Sequence, residues 1–190
     1  FVRGFTYEIT RGRGPVATAL TGMFSGRIPW GEEHHQRYRE LFNQITGMVA
    51  ICEDLPEPHN TVSLDPELKD SDGIPAPKIT YKLSENSRRM LDYAVDRGME
   101  ILEAAGATDV MTEAPIAVGG WHLMGTTRMG VDPEHSVVNE WGRSHDVRNL
   151  FVVDGSIFVT SAGVNPTRTI QALSLYIGDT MKKRLATLFD

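Results

Sequence analysis

The chain has 190 residues, of which 41% are hydrophobic and 23% are charged, and its formal net charge is −6. This composition predicts a globular protein, and an acidic balance without a block of Lys or Arg argues against nucleic acid or an anionic membrane surface as the main partner. The single Cys52 excludes an internal disulfide, no apolar run approaches the ~20 residues of a membrane helix, and the first residues lack the layout of a signal peptide.

Glycines and prolines punctuate residues 1–30, a pattern that predicts loops around brief strands and a short helix at 16–20. Apolar residues then recur at helical spacing between positions 38 and 45, which predicts an amphipathic helix over 31–48. The apolar run 49–52 predicts a buried strand. The first quarter of the chain therefore mixes both kinds of element.

The middle of the chain contains two segments, 61–64 and 78–83, in which polar and apolar residues alternate. Alternation is typical of half-buried strands, so we expect the two segments to pair. Ser84 is predicted to cap a long helix that Gly106 ends, and residues 108–118 are predicted to form a further strand. Antiparallel strands with helices between them predict an α+β layer, an antiparallel sheet with helices packed on it, rather than a parallel βαβ array.

The carboxyl-terminal part contains a strand and a helix start. The apolar run 150–153 predicts a short strand that breaks at Asp154 and Gly155. Asn165 is a favoured N-cap residue and Pro166 suits the first helical position, so a helix is predicted to begin here and run to the chain end. Its predicted apolar stripe consists of Ile170, Leu173, Ile177, Met181, Leu185 and Leu188. The amino end of such a helix stabilises an anion or an anionic ring.

His122 lies in a run, 121–130, that contains glycines at positions 125 and 130. Glycines of this kind indicate a loop that approaches another group closely, and an imidazole can accept a proton near neutral pH. The adjacent pair His34 and His35 does not predict a metal site, because neighbours on a helix point about 100° apart.

The order of these motifs resembles a known family. The segments 122–130, 132–133, 149–150, 152–156 and 165–167 together are similar to the carboxyl-terminal signature of the glucose-methanol-choline (GMC) flavin oxidoreductases. Upstream, the 62–64 strand, the turn at 72–73 and the long helix after it resemble the substrate domain of the family more loosely. The resemblance is nearest to the bacterial sugar, sugar-acid and polyol dehydrogenases.

The resemblance implies a reaction and two catalytic residues. His122 takes the position of the family's base, which accepts the hydroxyl proton of an alcohol or sugar substrate while hydride passes from carbon to flavin N5. Asn165 takes the position of the second His or Asn, which hydrogen-bonds the same oxygen. An amide does not accept a proton near neutral pH, so His122 is the expected base.

The resemblance also implies FAD as cofactor. Asn165, Pro166 and Thr167 would lie at the pyrimidine edge of the flavin, where the helix dipole favours negative charge. Asp154 and Gly155 would lie near the ribityl and phosphate region. No metal is expected.

Family members carry an amino-terminal dinucleotide fold with a glycine-rich turn, and no such turn occurs in these residues. We therefore expect residues 1–119 to be a substrate-binding domain, and residues 120–190 to be the catalytic loop and strand-helix segment of a FAD domain. The amino-terminal part of that FAD domain is the expected partner. Without it, FAD binding should be weak or absent, and exposed apolar surface should favour self-association.

Two other readings remain open on the sequence. The chain could be a stand-alone binding or interaction domain that keeps the fold without the chemistry. A metal hydrolase that uses His34, His35 and His59 is a third reading, and no ligand spacing supports it.

Overall fold

The computed structural model describes residues 1–116 and 119–187. Its elements are β1 (Phe5–Thr10), α1 (Pro15–Phe24), α2 (His34–Leu41), β2 (Gly47–Cys52), β3 (Thr61–Lys69), β4 (Pro75–Thr80), α3 (Glu85–Ala104) and α4 (Thr167–Lys183), with short 3₁₀ turns at Gly155–Ile157 and Leu185–Thr187. The strands form two antiparallel pairs, β1–β2 and β3–β4. The predicted α+β class is confirmed, although two small sheets take the place of the single expected sheet.

One core lies between α3 and the β1–β2 pair. Met90 and Ala94 on α3 are 0% and 1% exposed, and the hydroxyl of Tyr7 on β1 donates to the Ala94 carbonyl over 2.5 Å. Gly98 faces the sheet, since a Cβ there would lie in ordinary van der Waals contact with the Tyr7 ring, at 3.5 Å. We call this unit, α3 with β1 and β2, the helix-sheet layer.

The ends of α3 follow local sequence signals. The Ser84 hydroxyl accepts the Ser87 N–H over 3.1 Å, which confirms the predicted N-cap. Gly106 follows the last turn with φ +94°, a left-handed conformation that favours glycine and ends the helix there. Burial of this helix extends as far as Gly98 and then decreases, since Ile101 is 46% exposed.

The β3–β4 hairpin has the predicted pairing but not the predicted burial. Thr61 pairs with Thr80, and Val62 pairs with Ile79. Val62 and Ile79 are nevertheless 51% and 71% exposed, because no described element covers either face of the hairpin. Half-burial was expected from the alternation alone, which shows the two-residue period of a strand but not what packs on it.

Several other predicted boundaries change. Helix α2 covers only His34–Leu41 of the predicted 31–48. The strand predicted at 108–118 does not form in its described part, 108–116, and residues 117 and 118 lie outside the described residues. The strand predicted at 150–153 is reduced to one bridge, between Arg143 and Phe151. These short apolar segments make their backbone hydrogen bonds in turns and bridges rather than in a continuous ladder.

Residues 120–187, the site segment, have a small core of their own. Val138, Ile157 and Ile177 are 0%, 1% and 0% exposed, and partly buried apolar residues surround them. Helix α4 contributes Ile177 from its predicted stripe, but it ends at Lys183 instead of running to the chain end. The predicted stripe residue Leu188 lies outside the described residues. None of the described helices is long and apolar enough to cross a membrane.

Candidate active site

The loop that carries His122 is fastened to the turn that contains Asp154 and Gly155. Alternate backbone N–H groups of the loop, from Gly125 to Met129, donate to the successive carbonyls of residues 155–157 over 3.4, 2.9 and 2.8 Å. Two of the predicted motifs, widely separated in sequence, therefore lie side by side.

His122 is partly buried, and its neighbours Trp121 and Leu123 are 75% and 77% exposed. Leu123, the residue after His122, lies close to Gly155: its carbonyl oxygen would be 3.6 Å from a Cβ added to that glycine. Within residues 1–116 and 119–187, no hydrogen bond or ion pair uses the His122 ring. An imidazole of this kind has a ring nitrogen available for a ligand proton.

Gly155 allows three elements to meet. A Cβ at this position would lie 3.1 Å from the Ile170 side chain of α4 and 3.6 Å from both the Leu123 carbonyl and the Met124 side chain. The first of these distances is tighter than ordinary van der Waals contact, so an alanine here would require the end of the Ile170 side chain to shift. The glycine predicted as a cofactor neighbour thus also lies where the loop, the turn and the helix pack closely.

The Asp154 carboxylate closes its own turn. Its Oδ1 accepts the Ser156 hydroxyl over 2.6 Å and the Ser156 N–H over 2.8 Å. The hydrogen bond from the Ser156 hydroxyl lowers the pKa of Asp154 most, and the hydrogen bond from the Ser156 N–H lowers it further. The carboxyl group is therefore charged at neutral pH. Its other oxygen accepts no hydrogen bond from the described residues and can take one from a ligand hydroxyl.

The prediction that Asn165 caps α4 is wrong. The N-cap of α4 is Pro166, which has φ −86° and ψ −10°, and no side chain among the described residues caps the first turn. The Asn165 amide instead donates from Nδ2 to Oε1 of Glu8 over 2.6 Å. A hydrogen bond to a carboxylate is stronger than a neutral one, which favours this orientation of the Asn165 NH2 group.

The start of α4 consequently keeps free donors. The first backbone hydrogen bond into it runs from the Ile170 N–H to the Pro166 carbonyl over 3.0 Å. The N–H groups of the preceding residues, from Thr167 onward, have no acceptor among the described residues. They can stabilise a negatively charged ring edge placed at the helix start.

The segment 161–165, which ends at Asn165, rests on the β1–β2 pair. A Cβ at Gly163 would lie 3.0 Å from the Ile51 carbonyl and 3.1 Å from the Phe5 Cα, so only glycine lets the two backbones come this close. The Ser161 hydroxyl donates to the Asp54 carbonyl over 3.0 Å. These contacts bring residues 161–165 of the site segment onto the helix-sheet layer.

Asp54 connects this segment to two further elements. Its carboxylate accepts hydrogen bonds from the Tyr81 hydroxyl, over 2.6 Å, and from the Ser87 hydroxyl, over 2.5 Å. Burial, and then the hydrogen bond to Asp54, raise the pKa of Tyr81, so the phenol stays a donor. Neither Asp54 nor Glu8 was predicted as a site residue. No local pattern marks Glu8, which is 157 positions from Asn165.

The donors and acceptors of the site suit FAD. The free N–H groups at the start of α4 suit the anionic edge of a flavin ring, and the open oxygen of Asp154 suits a ribityl hydroxyl. Nothing in the described residues suits a metal ion in the same way, since they contain no cluster of three His, Cys, Asp or Glu side chains. His34 instead contacts the Pro29 carbonyl through Nδ1, over 3.1 Å.

Comparison with known proteins gives a family match over most of this region. The family model described as GMC oxidoreductase matches residues 56–174. A 2-methyl-1,2-propanediol dehydrogenase from Mycolicibacterium austroafricanum is 42% identical over 100% of this chain. The large subunit of a fructose dehydrogenase from Gluconobacter japonicus is 41% identical over 78% of the chain. A gluconate 2-dehydrogenase flavoprotein from Pantoea cypripedii is 28% identical over 97% of the chain.

These relatives are much longer than this chain, which spans 35%, 27% and 31% of their respective lengths. The names of these three relatives indicate that they oxidise a polyol, a sugar and a sugar acid, respectively. The name of the third also describes it as a flavoprotein.

Proposed function

Because the chain belongs to the GMC oxidoreductase family, we propose that it is the carboxyl-terminal part of an FAD-dependent enzyme that oxidises a CH–OH group. The observation that supports this most strongly is the junction of the His122 loop, the Asp154–Gly155 turn and the open start of α4. The junction combines a proton acceptor with groups that suit the cofactor. Polyols, sugars and sugar acids are the proposed substrates, on the strength of the relatives' names.

His122 is proposed as the residue that accepts the hydroxyl proton of the substrate. Its ring is free of hydrogen bonds to other described residues, and general base catalysis by such a group is worth about 10²–10⁴ in rate. The exposed side chains of Trp121 and Leu123 on either side would exclude water from this proton transfer once another part of the protein covers them.

Asn165 is proposed to donate a hydrogen bond to the same substrate oxygen. An amide nitrogen has two hydrogens, and Glu8 takes one of them. The other can stabilise the negative charge that develops on the oxygen as its proton leaves.

Four residues are proposed to hold FAD together with Asn165: Asp154, Gly155, Pro166 and Thr167. FAD, when bound, supplies the acceptor for the hydride that leaves the substrate carbon. The charged Asp154 would accept from a cofactor hydroxyl rather than contact a phosphate, since two negative charges repel. The start of α4, at Thr167, would direct its N–H groups toward the flavin.

The described residues would form only part of the FAD site, so we propose that the 190-residue chain alone binds FAD weakly or not at all. Large apolar side chains of the site segment are exposed, including Leu123, Val131 and Leu175 at 77%, 86% and 75%. We expect the isolated chain to associate with itself through this surface. Tight FAD binding in a fluorescence titration would contradict the first expectation, and a monomer at high concentration in analytical ultracentrifugation would contradict the second.

The proposed activity is tested on a polypeptide that joins this chain to the FAD-binding part found in its relatives. The protein is mixed without oxygen with a panel of polyols, sugars and sugar acids, and the flavin absorbance is followed. Loss of the oxidised flavin spectrum with at least one of them is expected. If the protein holds FAD but none of the alcohols reduces the flavin, the proposal is contradicted and a binding domain without catalysis is favoured.

A further inference from the structure

We propose that Glu8 is a positioning residue, which holds the Asn165 amide in the orientation that the reaction needs. This inference rests on the proposed function, because it assigns a role to Glu8 through the proposed catalytic residue Asn165. Glu8 lies on β1, in the helix-sheet layer, whereas Asn165 belongs to the site segment.

The first step of the argument is the direction of the hydrogen bond. The distance between Asn165 Nδ2 and Glu8 Oε1 is 2.6 Å. An ionised carboxylate only accepts hydrogen bonds, so the NH2 end of the amide must face Glu8. The carbonyl end of the amide is thereby turned away from Glu8.

The second step concerns the N–H of the Asn165 amide that Glu8 does not use. One N–H of Asn165 is used by Glu8, and the described residues provide no acceptor for the other. A flipped amide would place a carbonyl oxygen where an N–H is needed, and that oxygen would repel the developing charge on the substrate. By fixing the orientation, Glu8 keeps a donor available for the substrate oxygen.

The third step is the rigidity of the support. Gly163 lies against the backbone of Phe5 and Ile51, and the Ser161 hydroxyl is bonded to Asp54. The segment that carries Asn165 is therefore docked on the same strand pair that carries Glu8. A support of this kind fixes the position of the Asn165 amide, and a small displacement of such a group can lower the reaction rate strongly.

The fourth step is that Glu8 has no other charged partner. It forms no ion pair within residues 1–116 and 119–187, unlike Glu53 near the opposite end of the same strand pair, which lies 3.9 Å from Arg3. The only side chain among the described residues that Glu8 holds by a hydrogen bond is Asn165.

The test uses the FAD-loaded protein and measures the rate of flavin reduction at saturating substrate. Glu8→Ala is expected to lower this rate about 10–100-fold, less than the roughly 10²–10³-fold cost of removing a charge-stabilising donor outright, because the Asn165 amide remains and only its orientation is lost. Glu8→Gln keeps an oxygen that can accept the same hydrogen bond, so it should restore most of the rate. Glu53→Ala, the matched control, removes an acidic group from the same strand pair and should leave the rate unchanged.

A double variant separates positioning from a general structural role. Glu8→Ala combined with Asn165→Ala should be no slower than Asn165→Ala alone, because Glu8 acts only through the amide. Thermal unfolding gives a second reading without catalysis: the double variant should lower the melting temperature no further than the more destabilised single variant. Flavin content should stay at the wild-type level.

The outcomes distinguish this inference from the proposed function. If the rate losses of Glu8→Ala and Asn165→Ala multiply in the double variant, or if Glu8→Ala keeps the wild-type rate, the role of Glu8 is wrong while the activity stands. If none of the tested alcohols reduces the flavin of the wild-type protein, the proposed function is wrong, and the catalytic role of Glu8 is wrong with it.

Discussion

The helix-sheet layer and the site segment differ in how their backbones are held. In the layer, six residues of β1 pair in register with six of β2, and the twenty-residue helix α3 buries Met90 and Ala94 against them. In the site segment, α4 is the only long regular element among the described residues. Loop N–H groups there donate to the carbonyls of other loops.

This difference shows why the proposed catalytic residues lie where they do. Every helix leaves the N–H groups of its first turn without a partner inside the helix. The Ser84 side chain accepts one of them in α3, whereas no described side chain caps α4, so its first N–H groups stay free for a ligand. Its geometry depends on a few close approaches at Gly142, Gly155 and Gly163. In the proposed function, the layer would supply a rigid support and the site segment would supply the chemistry.

The largest expected effect is on the chemistry of the site segment. In the FAD-loaded protein, His122→Ala should lower the rate of flavin reduction about 10²–10⁴-fold, because the proton acceptor is lost. Flavin content, measured from the absorbance of the purified protein, should not change. The control is His59→Ala, since His59 is an exposed histidine just before β3, in the turn outside the site segment. A normal rate for His122→Ala would rule out this residue as the base.

The next effect compares the two cores. Ile177→Ala and Met90→Ala should each destabilise the protein by about 2–5 kcal/mol, since both side chains are 0% exposed. Hydrogen exchange should separate them: Ile177→Ala should speed exchange in residues 120–187 more than in α3, and Met90→Ala should do the reverse. Equal acceleration everywhere in both variants would show that the two regions unfold as one unit.

A smaller effect tests the close approaches of the site segment. Gly142 has φ +68°, and a Cβ there would lie 2.4 Å from the Val152 carbonyl. Gly106, after α3, also has positive φ, +94°, but its Cβ would meet nothing within 4 Å. Both Gly→Ala variants should lose about 1–3 kcal/mol of stability from backbone strain, measured by denaturant unfolding, and Gly142→Ala should lose more. Equal losses would mean that the contact with Val152 has no cost.

The smallest effect concerns Cys52 on β2. Burial raises the pKa of its thiol to about 11 from the ordinary value of 9.0. Only the thiolate reacts with iodoacetamide, so at pH 9 the folded protein should react roughly fifty-fold more slowly than the urea-unfolded protein. Because the folded-state pKa is the higher one, Cys52 lowers stability as pH rises from about 9 toward 11. Equal alkylation rates in both states would show that the thiol is not protected.

The two regions also differ in how far the sequence predicted them. In and beside the layer, local signals were sufficient for the Ser84 cap, the end of α3 before Gly106, and the pairing of β3 with β4. The cap and the end of α3 depend on side chains and dihedral angles within a few residues, and the pairing was predicted from the alternation in two nearby segments. The exposure of the β3–β4 hairpin was missed, because alternation does not show whether a second layer is present.

In the site segment, local signals were less reliable and the motif order was more informative. Asn165 was expected to cap α4, but no described side chain caps that helix, and the Asn165 amide nitrogen donates to a carboxylate 157 positions away. The strand expected at 150–153 is a single bridge. The family resemblance assigned His122, Asp154 and Gly155 to one site, but neither the resemblance nor any periodicity predicted the hydrogen bonds between the two loops.

The most direct test of the account is a crystal structure of the FAD-loaded protein with a bound alcohol or an unreactive analogue. The account predicts that one ring nitrogen of His122 and Nδ2 of Asn165 both lie about 2.7–3.2 Å from the same ligand oxygen, with Glu8 still bonded to the amide. A well-ordered complex in which His122 and Asn165 lie on opposite sides of the ligand, or in which neither contacts its hydroxyl, would contradict it.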